Sequence, residues 1–257
     1  MNKLLTTLSC VAIFATIASA DWGRFELGGG LWEQTPSGYR SYTETLGLFS
    51  SDGRYTSNEK SSSDVYVWAL LKHPIPIIPN IRVEYATASD EGQVTGSFED
   101  FVSPGLADAS IDITEYDIIP YYNLLDNTFW MTIDLGIDIK IIEADYTAEG
   151  VDVGSTIDTS YSSSESIVMP LLYLRGRVEI PATNIGIEAD GKYVTYGGST
   201  VYDIRAKVDY TLGFVPVVQP ALEVGYRIQK IDYTSDDEKS RMNLDFSGVY
   251  VGLMLRF

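Results

Sequence analysis

Phe246-Ser247-Gly248-Val249-Tyr250-Val251-Gly252-Leu253-Met254-Leu255-Arg256-Phe257 stands at the end of the chain. Val249, Val251, Leu253, Leu255 and Phe257 share one phase of a two-residue repeat; Gly248, Tyr250, Gly252, Met254 and Arg256 share the other. Successive side chains of a β-strand point to opposite faces, so this stretch reads as a strand with one apolar and one mixed face.

The pattern recurs upstream. Phe129, Met131, Ile133, Leu135, Ile137, Ile139 and Ile141 make an apolar phase against Trp130, Thr132, Asp134, Gly136, Asp138 and Lys140. A helix would scatter those charges around its circumference, so period two is the better fit. Tyr202, Ile204, Ala206, Val208 and Tyr210 oppose Asp203, Arg205, Lys207 and Asp209. Leu222, Val224, Tyr226 and Ile228 oppose Glu223, Arg227 and Gln229; Ile185, Ile187, Ala189 and Tyr193 oppose Glu188, Asp190 and Lys192. Weaker copies begin at Phe25, Ile81 and Leu172 and end at Tyr122, and Val65–Lys72 is apolar on both faces, which leaves its register open. Ten strands are expected, with eight or twelve as alternatives if Val65–Lys72 is misread or the first loop holds a hairpin. Pro120 and Pro170 are expected near strand ends, where a missing ladder hydrogen bond costs least.

The connections fall into two classes. Compact turns carry Pro, Gly or Asn, as in His73–Asn80, Asn123–Asn127, Pro181–Asn184 and Gly213–Pro220. Long polar loops are expected over Gln34–Asp64, Ser89–Ser110, Ala144–Glu165 and Asp232–Asp245, with a short turn at Gly197-Gly198-Ser199. An even strand number, compact turns on one side and long loops on the other describe a transmembrane antiparallel up-and-down β-barrel. The competing reading is a soluble sandwich or lipocalin-like barrel with its apolar faces inward. Strands of nine or more residues favour the membrane, which needs roughly 9–11 per crossing.

Met1–Ala20 reads as a cleaved secretory leader: Lys3, an apolar run, then Ala18-Ser19-Ala20. The barrel domain is then expected over 21–257. Cys10 lies in the leader, so the remainder offers no disulfide, thiol nucleophile or cysteine metal site. A net charge of −18 excludes nucleic acid as a partner, since such binding depends on basic neutralisation of phosphates.

With the apolar faces on lipid, the charged faces line the lumen. The expected network joins Asp134, Asp138, Lys140, Arg175, Arg177, Glu188, Asp190, Asp203, Arg205, Lys207, Asp209, Glu223 and Arg227. Glu26, Arg82, Glu84, Glu115, Asp117, Glu179, Lys192 and Arg256 share that face. The two signs nearly balance, unpaired buried charges are costly, and open channels belong to much larger barrels. The lumen is therefore expected to be largely closed, and exchange of Arg205 and Lys207 for Ser to open a leak.

Little points to catalysis. The one histidine, His73, sits beside Pro74 in a turn, without an Asp or Ser partner in sight. Asp236-Asp237-Glu238, Asp90-Glu91, Glu99-Asp100 and Asp152/Asp158 lack EF-hand spacing, so hydrated loops are expected, with divalent cations bridging to lipopolysaccharide as the sharper alternative. Gly28-Gly29-Gly30 has no following Lys-Ser/Thr and is not a phosphate loop. Neither cofactor nor resident metal is expected. The abundant tyrosines are expected to anchor at the membrane interfaces.

Two resemblances add to this. Alternating apolar residues ending in Phe257 resemble the last strand of bacterial outer-membrane β-barrels, which implies that Val249, Val251, Leu253, Leu255 and Phe257 are read by the barrel-assembly machinery. His73–Asn80, Tyr116-Asp117, Tyr121–Asn127, Leu135–Lys140, Arg205–Leu212 and Leu222–Arg227 resemble a family of small Gram-negative outer-membrane β-barrel proteins without assigned activity. This implies an outer-membrane location reached through the periplasm, among lipids and lipopolysaccharide. The expected role is structural or surface-interacting, with a narrow solute channel as the alternative.

Overall fold

The computed structural model describes residues 23–46, 49–98, 101–152, 158–213, 218–235 and 237–257. The expected leader with Cys10, and Glu99, Asp100 and Asp236, lie outside the described residues. The chain runs β1 (Arg24–Leu46), β2 (Phe49–Ser57), β3 (Ser62–Lys72), β4 (Asn80–Phe98), β5 (Phe101–Thr128), β6 (Met131–Asp152), β7 (Asp158–Glu179), β8 (Ile185–Tyr196), β9 (Ser199–Thr211), β10 (Gln219–Thr234) and β11 (Ser240–Arg256).

Neighbouring strands pair antiparallel, and β1 pairs with β11 to close the sheet. β2 pairs with the far ends of β1 and β4, while β3 pairs with their near ends. These two short strands therefore share one place, and the closed barrel has ten positions built from eleven strands. The hairpin inside the first expected loop is real, but it lengthens the wall instead of adding to the circumference.

Most of the expected outer loops are strand. β1 runs through Gln34–Leu46 and β2 through Phe49–Ser57, β4 and β5 through most of Ser89–Ser110, and β6 and β7 through most of Ala144–Glu165. The reason is an exchange of faces. On β6, Leu135, Ile137 and Ile139 point outward and Asp134, Asp138 and Lys140 inward. Beyond Ile141 the polarity swaps: Glu143 and Asp145 point outward, and Ile142, Ala144, Tyr146 and Ala148 are buried inside. β5 swaps between Tyr116 and Thr114, and β11 between Val249 and Ser247. A lipid-facing wall must be apolar outside, whereas a water-facing wall must be apolar inside. The swap thus marks where the barrel leaves the bilayer. The outward apolar run Ile133–Ile141, tilted at about 40° with a rise of about 3.4 Å per residue, spans roughly 21 Å, most of the ~25 Å band of such barrels.

Three local expectations are corrected. Phe129 and Trp130 are not strand residues but form the β5–β6 turn, with φ of 53° and 63°. Pro120 and Pro170 lie within β5 and β7, not at their ends. Many tyrosines anchor nothing at an interface: Tyr42, Tyr55, Tyr66, Tyr121, Tyr146, Tyr173 and Tyr250 are buried inside the barrel. The open register of β3 is settled by Val65 and Val67 facing out and Tyr66, Trp68 and Leu70 facing in. Trp68 fits because Gly28 stands opposite; a Cβ at Gly28 would lie 2.5 Å from the indole.

Candidate functional site

The charged lumen is the chemically richest part of the molecule. Over one stretch of each strand from β4 to β10, alternation turns two or more charged residues inward, and strand pairing stacks them in tiers.

The tier nearest the chain ends is built on Glu26, which accepts from Nε of Arg24 (2.8 Å) and of Arg256 (2.6 Å). Beside it Arg177 Nη2 donates to both oxygens of Asp209 at 2.7 and 2.8 Å, and its Nε to Glu179 at 2.7 Å. Glu179 is partly exposed, at the rim. Planar guanidinium groups suit such forked contacts, so Arg carries this tier.

The middle tier crosses the lumen. Arg175 joins Asp134 and Glu188, each at 2.6 Å. Arg205 holds Asp190 at 2.6 Å on the neighbouring strand and Glu84 at 2.6 Å on the far wall. Lys207 donates to Glu223 at 2.9 Å, and Tyr66 donates to the same carboxylate at 2.7 Å from the other side. Two cations approach the Trp68 ring, Arg82 at 4.8 Å and Lys207 at 4.5 Å from its centre, and its π-system attracts both.

In the third tier Lys192 Nζ lies 2.6 Å from both Glu84 and Asp117 and 3.5 Å from Asp203. Lys140 reaches Asp117 at 2.8 Å. Arg227 joins Asp203 and Glu115, each at 2.8 Å, and lies 4.4 Å from the centre of the Trp32 ring. Glu84, Asp117 and Asp203 form a set of carboxylates spaced as metal ligands are, but the Lys192 ammonium already sits among them. Each carboxylate of the set also has a second cation of the chain beside it: Arg205 at Glu84, Lys140 at Asp117 and Arg227 at Asp203.

Above these tiers the interior turns apolar. Ile113, Ile142, Leu171, Val201, Ile231, Leu244 and Phe246 are buried at 4% exposure or less and pack together. This layer was not legible as lumen filling, because most of its residues fall where the outward face turns polar. The signal that could have found it is the same two-residue alternation, continued past the point where its phase reverses.

Every expected network residue lies on the inner wall, and all but Asp138 make a polar contact there. Asp138 is fully buried, and neither of its carboxylate oxygens has a hydrogen-bond partner. The assignments that single-strand reasoning understated are Glu84, Glu115, Asp117 and Lys192, which lie at the centre and not on the periphery.

The remaining candidates lie elsewhere. His73 is tied into the β3–β4 turn, with Nε2 3.0 Å from the Pro79 carbonyl and Nδ1 accepting from the Ile75 amide at 3.2 Å. Asp90 is buried and accepts from Ser57 at 2.8 Å, while its neighbour Glu91 pairs with Lys60 at the surface. Outside the bilayer, contacts from Lys239 and Tyr42 hold the Glu44 carboxyl below its usual range.

At the seam, the Phe257 amide donates to the Phe25 carbonyl at 2.9 Å, and the two rings lie 5.5 Å apart. Val249, Val251, Leu253 and Leu255 all face outward on β11.

No protein-family model and no curated protein matches the chain. Among solved structures it is similar to the outer membrane protease OmpT from Escherichia coli, at 13% identity over 92% of this chain and 96% of that one, with a TM-score of 0.49. It is similar to outer membrane protein AlkL, at 12% identity over 93% and 92%, with a TM-score of 0.36. It is also similar to the Pseudomonas putida toluene transporter TodX, at 9% identity over 95% and 92%, with a TM-score of 0.34. The architecture described above rests on strand pairing and side-chain facing, and these likenesses extend to it alone.

Proposed function

We propose that the chain is an outer-membrane barrel with a closed lumen, whose role is structural or surface-interacting rather than conductive or enzymatic. The observation that carries this reading is the pair of barriers in series: ion pairs that cross the lumen, as from Arg205 and Lys192 to Glu84, and the apolar layer above them. An ion entering the charged tiers would meet paired groups, and one leaving them would meet a dry layer with nothing to replace its hydration. The bacterial outer membrane is the location that suits a closed barrel with an apolar outer band and a water-facing collar. Lipids and lipopolysaccharide are the partners this location supplies, and assembly through the C-terminal strand follows from the resemblance noted for Phe257. A non-enzymatic role is supported by His73, whose two ring nitrogens are both engaged within the β3–β4 turn.

The test is conductance of the purified chain in planar bilayers. No steady current is expected. A reproducible open channel would overturn the closed lumen and favour a narrow solute pore.

A further inference from the structure

The wall of the collar is uneven. β6 and β7 pair from Met131 to Val151, but β7 pairs with β8 only over Leu172–Glu179. The β8–β9 hairpin turns at Gly197-Gly198, close to the height where the outward face of β7 changes from Val168 to Ser166. Among the described residues, the upper half of β7 therefore has β6 on one side and no strand on the other.

Pro170 shows which backbone groups face that side. It sits opposite Ile139 in the β6–β7 ladder without an N–H, so its nitrogen points away from β6. Both backbone groups of a strand residue point to the same neighbour, and the direction alternates along the chain. Ser162, Ser164, Ser166 and Val168 share the parity of Pro170, and their N–H and C=O groups face the open side. An exposed row of such groups is a template for another strand. The row is no lateral portal, because Ile167, Leu171, Val201 and Ile231 are packed behind it.

The surroundings are acidic. Glu143 and Asp145 stand opposite Ser166 and Ser164 on the outer face of β6. Glu165 lies on β7 itself, where burial pushes its carboxyl above the usual range, Arg40 opposes, and the charge of Asp237 adds to the rise. The nearby cations of β10 and β11 are engaged: Lys230 with Asp245 at 2.7 Å and Arg241 with Asp232 at 3.1 Å.

We propose that this edge of β7 docks an extended, cationic peptide segment of another protein, which adds as a strand above the β8–β9 hairpin. Main-chain hydrogen bonds would supply affinity, and the acidic collar would select lysine- or arginine-rich segments. A second copy of the chain is the poorer occupant, since the net charge of −18 repels its like. The contact rests on the surface-interaction role proposed above. It is read by peptide binding whereas the lumen is read by conductance, so the two can fail separately.

The experiment uses the full barrel in lipid nanodiscs and a fluorescent twelve-residue peptide of alternating threonine and lysine. Saturable binding is expected, together with protection of the Ser162, Ser164, Ser166 and Val168 amides from hydrogen exchange. Binding should fall at least tenfold in Ser166→Pro, and equally for the same peptide N-methylated throughout or with glutamate in place of lysine. Ser162→Pro serves if Ser166→Pro loses the gel shift of a folded barrel. Undiminished binding by the N-methylated or glutamate peptide, or no protection of those amides, would overturn the proposal. So would a wild-type dimer in light scattering that Ser166→Pro dissociates, since the occupant would then be a second copy.

Discussion

Lys192 on β8 reaches across the lumen to Glu84 on β4, with 2.6 Å between Nζ and Oε2, although 108 residues separate them in sequence. Both side chains are almost fully removed from solvent, and the same ammonium also holds Asp117. Exchange of Lys192 for Met leaves Glu84, Asp117 and Asp203 facing one another with one cation fewer. Loss of about 3–5 kcal/mol is expected, the usual result of stranding a buried charge. The urea midpoint of the gel-shift transition measures it. The double variant Lys192→Met/Glu84→Gln should recover part of the loss; if it falls further, the pair is not the unit described.

Arg205→Ser/Lys207→Ser tests the order of the two barriers. Loosening the middle tier was expected from sequence to produce leak current. The apolar layer above that tier is a separate seal, so the double variant alone should stay silent in planar bilayers. Adding Phe246→Ala and Ile231→Ala, which opens the layer, should produce current. Leak from the double variant alone would show that the apolar layer does not seal.

The exchange of faces on β6 can be read by charge scanning. Ile137→Arg places a charge on lipid and should cost about 2–4 kcal/mol. Asp145→Arg, eight residues further along the same outward face, should change stability by less than about 0.5 kcal/mol, as surface substitutions do. Equal penalties at the two positions would move the bilayer boundary.

Gly28→Val would bring a side chain into the Trp68 ring, and about 1–3 kcal/mol of overpacking is expected. Trp68→Ala should relieve the clash, so that the double variant is more stable than the sum of the single losses predicts. Simple additivity in thermal melts would mean that the two positions do not touch.

Phe257→Asp should lower the outer-membrane level of the protein. It removes the ring against Phe25 and puts a charge at the seam of β11 and β1. Immunoblots of membrane fractions, with and without boiling, give the folded amount; a normal level would separate the last residue from assembly.

The amino-acid sequence by itself determined the class of structure. Period two is local, so the alternation of Leu135, Ile137 and Ile139 with Asp134, Asp138 and Lys140 declares a two-faced strand wherever it occurs. The near balance of lumen charges was legible for the same reason, as were the turns at His73–Asn80 and Gly197-Gly198. Three matters needed the tertiary structure. Polar stretches such as Gln34–Ser57 gave no sign of strand, because the apolar phase moves from outside to inside at the bilayer surface and a reader following one phase loses it there. Two partners of Glu84, Lys192 and Arg205, lie on β8 and β9, and only closure of the barrel brings those strands opposite β4. The open edge of β7 exists because the hairpin beside it is short, and unequal height is a relation between neighbours that neither strand carries in its own residues.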